Sequence, residues 1–335
     1  MGVTAKELAK KLNLSPAAVS LALNKQPGVS RQTRDLVINT AKEMGYDFSR
    51  IAEKQSATGH IYFTIYKRHG AVVSDTPFFS EMSEGIASGC RKAGYKLKIS
   101  YLYKDNETMD RQLEDMISSD CIGMILLGTE MNRDDFKPFR HLPIPIVLLD
   151  TYFIQAPCSC VLINNIQGAY TACDYLIKKS RRPPGYLQSS YPIGNFAERA
   201  EGFYRAVKDN GLSSKKCIVH ALTPSIDGAY ADMMDILAQK EELASHYFAD
   251  NDLIAIGAMR ALKSKGYRIP KDISVIGFDD IPAGNIIEPP LTTIHVPKHH
   301  LGEMAARQLI FSLRNPDSGP VKTELNTYLV KRQSC

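Results

Sequence analysis

In the stretch TAKELAKKLNLSPAAVSLALN, Thr4 to Asn24, a helix beginning at Ser15 would carry two unlike faces. At about 100° per residue, Val19, Ala22 and Leu23 fall on one side. Ala17, Leu21 and Asn24 fall opposite, flanked by Ala18 and Ser20. A surface helix that turns small and apolar groups to solvent is built to lie against something. The major groove of DNA admits a helix of this kind, reading bases through short polar groups and methyl contacts.

Local signals place the elements that would hold this face. Thr4-x-x-Glu7 has capping-box spacing, so a first helix starts there with Leu8 and Leu12 on one side. Ser15 can cap the second helix, and Pro16 suits a first helical position, where no N–H is needed. Ser30 caps a third helix that runs to Met44, with Gly45 as its stop. Three such helices form a helix-turn-helix unit, a geometry that also serves as a plain structural cap, so periodicity leaves both readings open. Residues 1–60 hold nine Lys/Arg against five Asp/Glu, whereas the remainder holds 32 against 31. The basic excess therefore sits where a phosphate backbone would be met.

Other constellations carry less chemistry. The seven cysteines are scattered and odd in number, as in a reduced cytoplasmic protein, and Cys158-x-Cys160 is a weak metal or redox signal. His295, His299 and His300 in HVPKHH lack a carboxylate or cysteine at ligand spacing, so no metal is expected. RRPPGY, Arg181 to Tyr186, reads as a stiff exposed loop. Neither a GxGxxG after a strand nor a P-loop occurs, and no Ser/His/Asp or Cys/His set can be proposed, so neither cofactor nor catalysis is expected. The polar N-terminus is not a signal peptide and no apolar run reaches spanning length, which points to a cytoplasmic protein off the membrane.

From His60 onward, apolar runs (IYFTIY, KLKISYLY, GMILLG, IPIVLLD) alternate with amphipathic stretches, and the rhythm repeats through VLINN, GYLQSS, KCIVHAL, HYFAD and ISVIGFDD. The fold class expected is α/β: a helix-turn-helix headpiece followed by a bilobed body of two doubly wound parallel sheets. The loops at the strands' carboxyl ends would line a cleft between the lobes.

The segments SPAAVSLALN, GVSRQTRDLVINTAKEMGY, DTPFFSEMSEGI, VLLD, ERAEGF, FADNDLIAIGAMRALKSKGYRIPKDISVIGFDD and PPLTTIHVP stand in the order and spacing of one family. Over essentially its full length the chain resembles LacI-family transcriptional regulators, the lactose- and purine-repressor type. The resemblance implies a headpiece over 1–46, a hinge over 47–59, and a periplasmic-binding-protein-like effector and dimerisation domain over 60–335. Within that domain the N-subdomain would take about 60–162 and 292–320, and the C-subdomain about 163–291 and 321–335.

It further implies that Pro16, Ala17, Ser20 and Leu21 face bases and that Ser15, Asn24, Ser30 and Arg34 meet phosphates. Many members carry Arg where this chain has Leu21, and Phe48-Ser49 replaces the family's Pro-Asn pair in the hinge. Gln55 stands where a leucine normally wedges into the minor groove, and an amide is a poor wedge. For the cleft, the resemblance implies effector contacts from Asp75, Phe78, Phe79, Asp150, Asn195, Arg199, Asn251 and Asp279, with Tyr152 and Lys298 as weaker candidates. Phenyl faces stack on a sugar ring or a base, and carboxylates and amides pair with hydroxyls.

The expected partners are double-stranded operator DNA, a sugar-like effector (a purine being the lesser choice), and a second copy of the chain in a homodimer or a tetramer. A cytosolic ligand sensor of the same fold without operator binding is the alternative. It explains the body but leaves the headpiece idle, and a Rossmann-like enzyme explains less still.

Leu21→Arg installs the forked donor pair that reads guanine O6 and N7, worth about 1–3 kcal/mol in good geometry. Selection from a randomised operator pool should then yield guanine at one new position per half-site. An unchanged consensus would remove Leu21 from the base-facing set.

Overall fold

The structure, a computed structural model, describes residues 3–23, 29–46, 59–73, 77–104 and 109–335. Asn24, Phe48, Ser49, Gln55 and Asp75 lie outside the described residues. The chain divides into a small N-terminal unit and a larger unit.

In the N-terminal unit, α1 (Ala5–Leu12) begins at a complete capping box. Thr4 Oγ1 accepts from the Glu7 N–H at 3.3 Å, and Glu7 Oε2 accepts from the Thr4 N–H at 2.7 Å. The Ser15 hydroxyl accepts from the Ala18 N–H at 3.1 Å at the start of α2 (Pro16–Leu23). The Ser30 hydroxyl accepts from the Thr33 N–H at 3.1 Å to start α3 (Arg31–Glu43). Leu8, Val19, Ala22, Leu23, Val37 and Ala41 form the core of these three helices. The opposite side of α2 is open: Pro16, Ala17 and Ser20 are exposed and Leu21 is half-buried.

Along the larger unit the chain runs β1 (His60–Lys67), α4 (Pro77–Lys92), β2 (Lys96–Tyr103), α5 (Met109–Ser119), β3 (Cys121–Leu127), β4 (Ile146–Leu149) and β5 (Ser159–Ile163). It continues through α6 (Asn165–Ser180), β6 (Gly185–Ser189), α7 (Gly194–Asp209), β7 (Val219–Leu222), α8 (Ile226–Ala238) and β8 (His246–Ala249). Then come α9 (Asp252–Ser264), β9 (Ser274–Asp279), α10 (Pro282–Ile286), β10 (Thr292–His295), α11 (Lys298–Arg314), β11 (Lys322–Leu325) and β12 (Tyr328–Val330). Two six-stranded sheets result, in the orders β11-β5-β4-β3-β1-β2 and β12-β10-β9-β8-β6-β7. β4 and β8 are buried along their whole length, because helices cover both faces of a parallel sheet and leave no polar side for alternation to reveal.

The chain passes between the lobes three times, and two short strands lie on the other side from where the sequence places them. β10, expected in the first lobe, pairs with β9 in register Thr293↔Gly277. β11, expected in the second, pairs with β5 in register Thr323↔Val161. Four-residue strands carry too little pattern to announce which sheet they join.

Helix α11 returns to the first lobe and packs on α4 by backbone approach. A Cβ on Gly302 would stand 2.1 Å from the Met82 carbonyl oxygen, and one on Gly85 would stand 2.0 Å from that of His299. Gly302→Ala must therefore push the two helices apart, at or above the about 1–3 kcal/mol of an overpacked core. Urea unfolding of the full chain should show that loss, and an unchanged midpoint would contradict the packing.

Candidate functional site

The candidate ligand site lies at the carboxyl ends of the strands, where each chain turns out of its sheet toward the other lobe. Past β1 come Val72, Phe78 and Phe79; past β3, Thr129; past β4, Asp150; past β6, Ile193, Asn195, Phe196 and Arg199; past β8, Asn251 and Leu253; and past β9, Ile281, next to Asp279 in its last position. Together they enclose a cleft of about 480 Å³, counted with its open mouth. The rings of Phe78 and Phe79 meet edge to face at 5.0 Å. Phe78 is buried while Phe79 keeps partial exposure, so Phe79 offers the freer surface.

Arg199, 3% exposed, is the cation of this lining. It projects from the second turn of α7, and each of its three nitrogens donates one hydrogen bond. Nε donates to Asn165 Oδ1 at 2.9 Å, Nη1 donates to the Asp250 carbonyl oxygen, and Nη2 donates to Asp279 Oδ1 at 3.3 Å. The guanidinium lies over the Phe278 ring, 3.7 Å from its centroid. A side chain expected to fork onto a ligand is thus largely committed to the second lobe, tying α7 to α6, β8 and β9.

The carboxylates around it are held in costly surroundings. Asp150, Asp279 and Asp280 take positive φ (61°, 113° and 54°), a sparsely populated region for residues other than glycine. Asp280 is pinned by Arg332 Nη2, which donates to Oδ1 at 2.6 Å, and by His295 Nδ1, 2.7 Å from Oδ2. Asp252, fully buried, accepts from the Thr293 hydroxyl at 2.6 Å and the Ile281 N–H at 2.9 Å. Burial raises its pKa, and nearby Asp279 adds to the rise.

Asp150 is the informative member. Its Oδ2 accepts from the Thr129 hydroxyl at 2.7 Å, while Oδ1 is buried and makes no hydrogen bond of full geometry among the described residues, although the Asn195 amide lies close enough to lower the carboxyl's pKa. Burial raises its pKa to about 6 against the pull of Thr129, Arg199 and Asn195. An acceptor left bare in a cleft asks for a donor from outside.

Seven of the eight expected effector residues (Phe78, Phe79, Asp150, Asn195, Arg199, Asn251, Asp279) therefore line one cleft. Asn251 Oδ1 accepts from the Ile254 N–H at 2.9 Å as the cap of α9, and the residue lines the cleft. The weaker candidates are not brought in. Tyr152 lies under Lys322 Nζ, 3.8 Å from its ring centroid, and Lys298 is buried with Nζ donating to the Asp280 carbonyl oxygen at 3.1 Å. Thr129 was missed, although its place directly after the GMILLG run marks a strand's carboxyl end.

Ser15 and Ser30, expected at phosphates, spend their hydroxyl acceptors on helix caps yet stay exposed. Arg34 is half-buried on α3. Among the described residues no His/Cys/Asp/Glu group is placed to hold a metal ion, and no helix is long and apolar enough to cross a membrane.

Arg199→Ala strips three acceptors of their donor and takes from Asp279 its hydrogen-bonded counter-charge. Breaking a buried pair from one side costs about 3–5 kcal/mol. Urea unfolding should show a loss of that order, whereas Phe79→Ala should leave the midpoint nearly unchanged. A fully stable Arg199→Ala protein would mean that the guanidinium is free for a ligand after all.

Comparison with known proteins places this architecture. The profile of the periplasmic binding protein-like domain matches residues 173–335. The HTH-type transcriptional repressor PurR of Mannheimia succiniciproducens is 30% identical over 336 residues, spanning 99% of this chain and 98% of that protein. PurR of Klebsiella pneumoniae strain 342 is 30% identical over 337 residues, with 99% and 96% covered. The fold matches that of the transcriptional regulator CelR in complex with cellobiose, with TM-score 0.73, 23% identity and coverage of 99% of this chain and 100% of that one. It also matches a LacI family regulator from Enterococcus faecium with bound ribose, with TM-score 0.71, 24% identity and coverage of 82% and 98%. With its capped three-helix headpiece, two largely parallel sheets, the second edged by antiparallel β12, and full-length kinship to the PurR repressors, the chain belongs to the LacI family of transcriptional regulators.

Proposed function

We propose that the effector of this DNA-binding repressor is an uncharged, hydroxyl-rich molecule, a sugar or sugar derivative, bound in the cleft between the lobes. The observation that carries this is the bare Oδ1 of buried Asp150 beside the Phe78–Phe79 pair, with Arg199 already committed to Asp279. Hydroxyls supply the donor that Asp150 lacks, and a sugar ring's C–H face suits a phenyl ring. An anionic ligand would meet Asp150 and Asp279 with no uncommitted cation in the described lining. The bound sugars of the CelR and Enterococcus faecium structures agree with this choice.

In the same proposal the headpiece comprises 1–46, the hinge 47–59 and the effector domain 60–335. Pro16, Ala17, Ser20 and Leu21 face base edges, while Ser15, Asn24, Ser30 and Arg34 meet phosphates. Two copies present two such faces to a two-fold operator in the cytoplasm. Ligand binding changes the lobes' relative orientation and so operator affinity, and the coupling is reciprocal. No catalytic step is assigned to the chain.

Cellobiose, D-ribose and hypoxanthine, the last standing for the purine alternative, are tested for melting shifts and then for effects on binding to an operator selected from a randomised duplex pool. A sugar should raise the melting temperature and change operator affinity by about 5–150-fold. Response to hypoxanthine alone would overturn the sugar assignment. Failure to retain any duplex would favour the sensor reading.

A donor to Asp150 Oδ1 stabilises the ionised carboxyl, so the sign of the pH effect is fixed. Sugar affinity should be full above pH about 6 and fall as pH drops through that value, by up to about tenfold per unit. Calorimetry from pH 5 to 8 should show this slope in the wild type and a flat profile in Asp150→Asn. A slope surviving the substitution would assign the proton elsewhere.

A further inference from the structure

One buried carboxylate outside the lining is engaged more fully than any strand or cap requires. Glu130, its side chain fully buried, lies in the turn after β3 and accepts from five N–H groups of the Arg68–Val73 loop. Oε2 accepts from Arg68 at 2.9 Å, His69 at 3.1 Å and Gly70 at 2.9 Å. Oε1 accepts from Val72 at 2.9 Å and Val73 at 2.8 Å. These donors outweigh the cost of burial and hold its pKa below the usual carboxylate range. Arg68 Nη1 adds a bond to Asp135 Oδ2 at 2.7 Å in the same turn region.

The loop so gathered has two outputs. Val72 forms part of the ligand cleft. The His69 ring, its Nδ1 accepting from the Ala71 N–H at 3.1 Å, meets the Tyr191 ring of the second lobe at 4.9 Å and 46°. Tyr191 sits in the β6–α7 connection, two residues before Ile193 of the cleft.

We infer that Glu130 is a positioning residue of the ligand response: it shapes the Arg68–Val73 loop so that Val72 walls the cleft while His69 bridges to Tyr191 across the lobes. The inference rests on the ligand site proposed above, but its first test needs no ligand. Glu130 acts through the loop's N–H groups, with Oε1 also 3.5 Å from His69 Nδ1, so an uncharged isostere, whose amide can accept at one end only, should release the Val72–Val73 side and move His69 off Tyr191.

The chain has no tryptophan, so Tyr191→Trp gives a single reporter at the bridge. In that background His69→Ala should change the emission by roughly twofold, Glu130→Gln should reproduce the change, and the two together should add nothing further, as for residues acting through one contact. In the wild type, the amides of Arg68 to Val73 should exchange more than about tenfold slower than free peptide, a measurement that stands even where Glu130→Gln folds poorly. Emission unaltered by His69→Ala, emission unaltered by Glu130→Gln in a folded protein, or unprotected loop amides would each overturn the inference.

The compound of the three above that binds wild type is then titrated. Glu130→Gln should weaken it about tenfold, while Tyr191→Phe, which keeps the ring, should not. Unaltered affinity in Glu130→Gln would also overturn the inference. Failure of all three compounds to bind would sink the sugar reading and leave the emission test to decide this one.

Discussion

The guanidinium of Arg199 is the charge around which the second lobe's half of the site is assembled. A buried cation costs several kcal/mol unless it is paired and its N–H groups are satisfied. Here Asn165, the Asp250 carbonyl and Asp279 take three of its five N–H groups, one from each nitrogen, and the Phe278 ring covers its face. The same bonds fix α7 against α6, β8 and β9. The cation that a reader of the sequence would offer to the ligand is instead the means of holding Asp279 in place, and the open chemistry of the cleft becomes that of hydrogen-bond acceptors.

Backbone strain follows from the same requirement. Asp150 leaves β4, and Asp279 and Asp280 leave β9, at positive φ, each at an expense of about 1–3 kcal/mol. Side-chain bonds to Thr129, Arg199, Arg332 and His295 keep them there. Close helix packing through Gly85 and Gly302 brings the returning helix α11 onto the first lobe, just after the chain has left Asp280 and His295 in the second. The crossing after β10 thus follows within about fifteen residues of Asp279 and Ile281 of the cleft, so that the proposed ligand would act close to where the chain changes lobe.

Much of this was legible in the sequence wherever local rules suffice. The Thr4–Glu7 box, the Ser15 and Ser30 caps and the Gly45 stop depend on neighbours three or four residues apart, and they form as spacing predicts. The cleft set was legible through the resemblance, because VLLD, FADN and GFDD end strands while Phe78, Phe79, Asn195 and Arg199 stand in the first two turns of helices that follow strands. Glu130, Thr129 and the partners of Arg199 were not legible. Their bonds span tens of residues in sequence, from Arg199 back to Asn165 and on to Asp279, and from Glu130 back to the loop at Arg68, and no periodicity encodes such pairs. The swapped places of β10 and β11 have the same origin: register between distant short strands is decided by packing.

The account stands or falls on the absence of net charge in the effector. A hydroxyl completes Asp150, whereas a phosphate would face Asp150 and Asp279 across a cleft whose lining cation is already paired. Calorimetric titration of the full chain with D-ribose and cellobiose, each beside its phosphate ester at one pH and salt concentration, tests this directly. The account predicts heat of binding from an uncharged sugar and none from its ester, and an ester that binds as tightly as or more tightly than its parent sugar would contradict it.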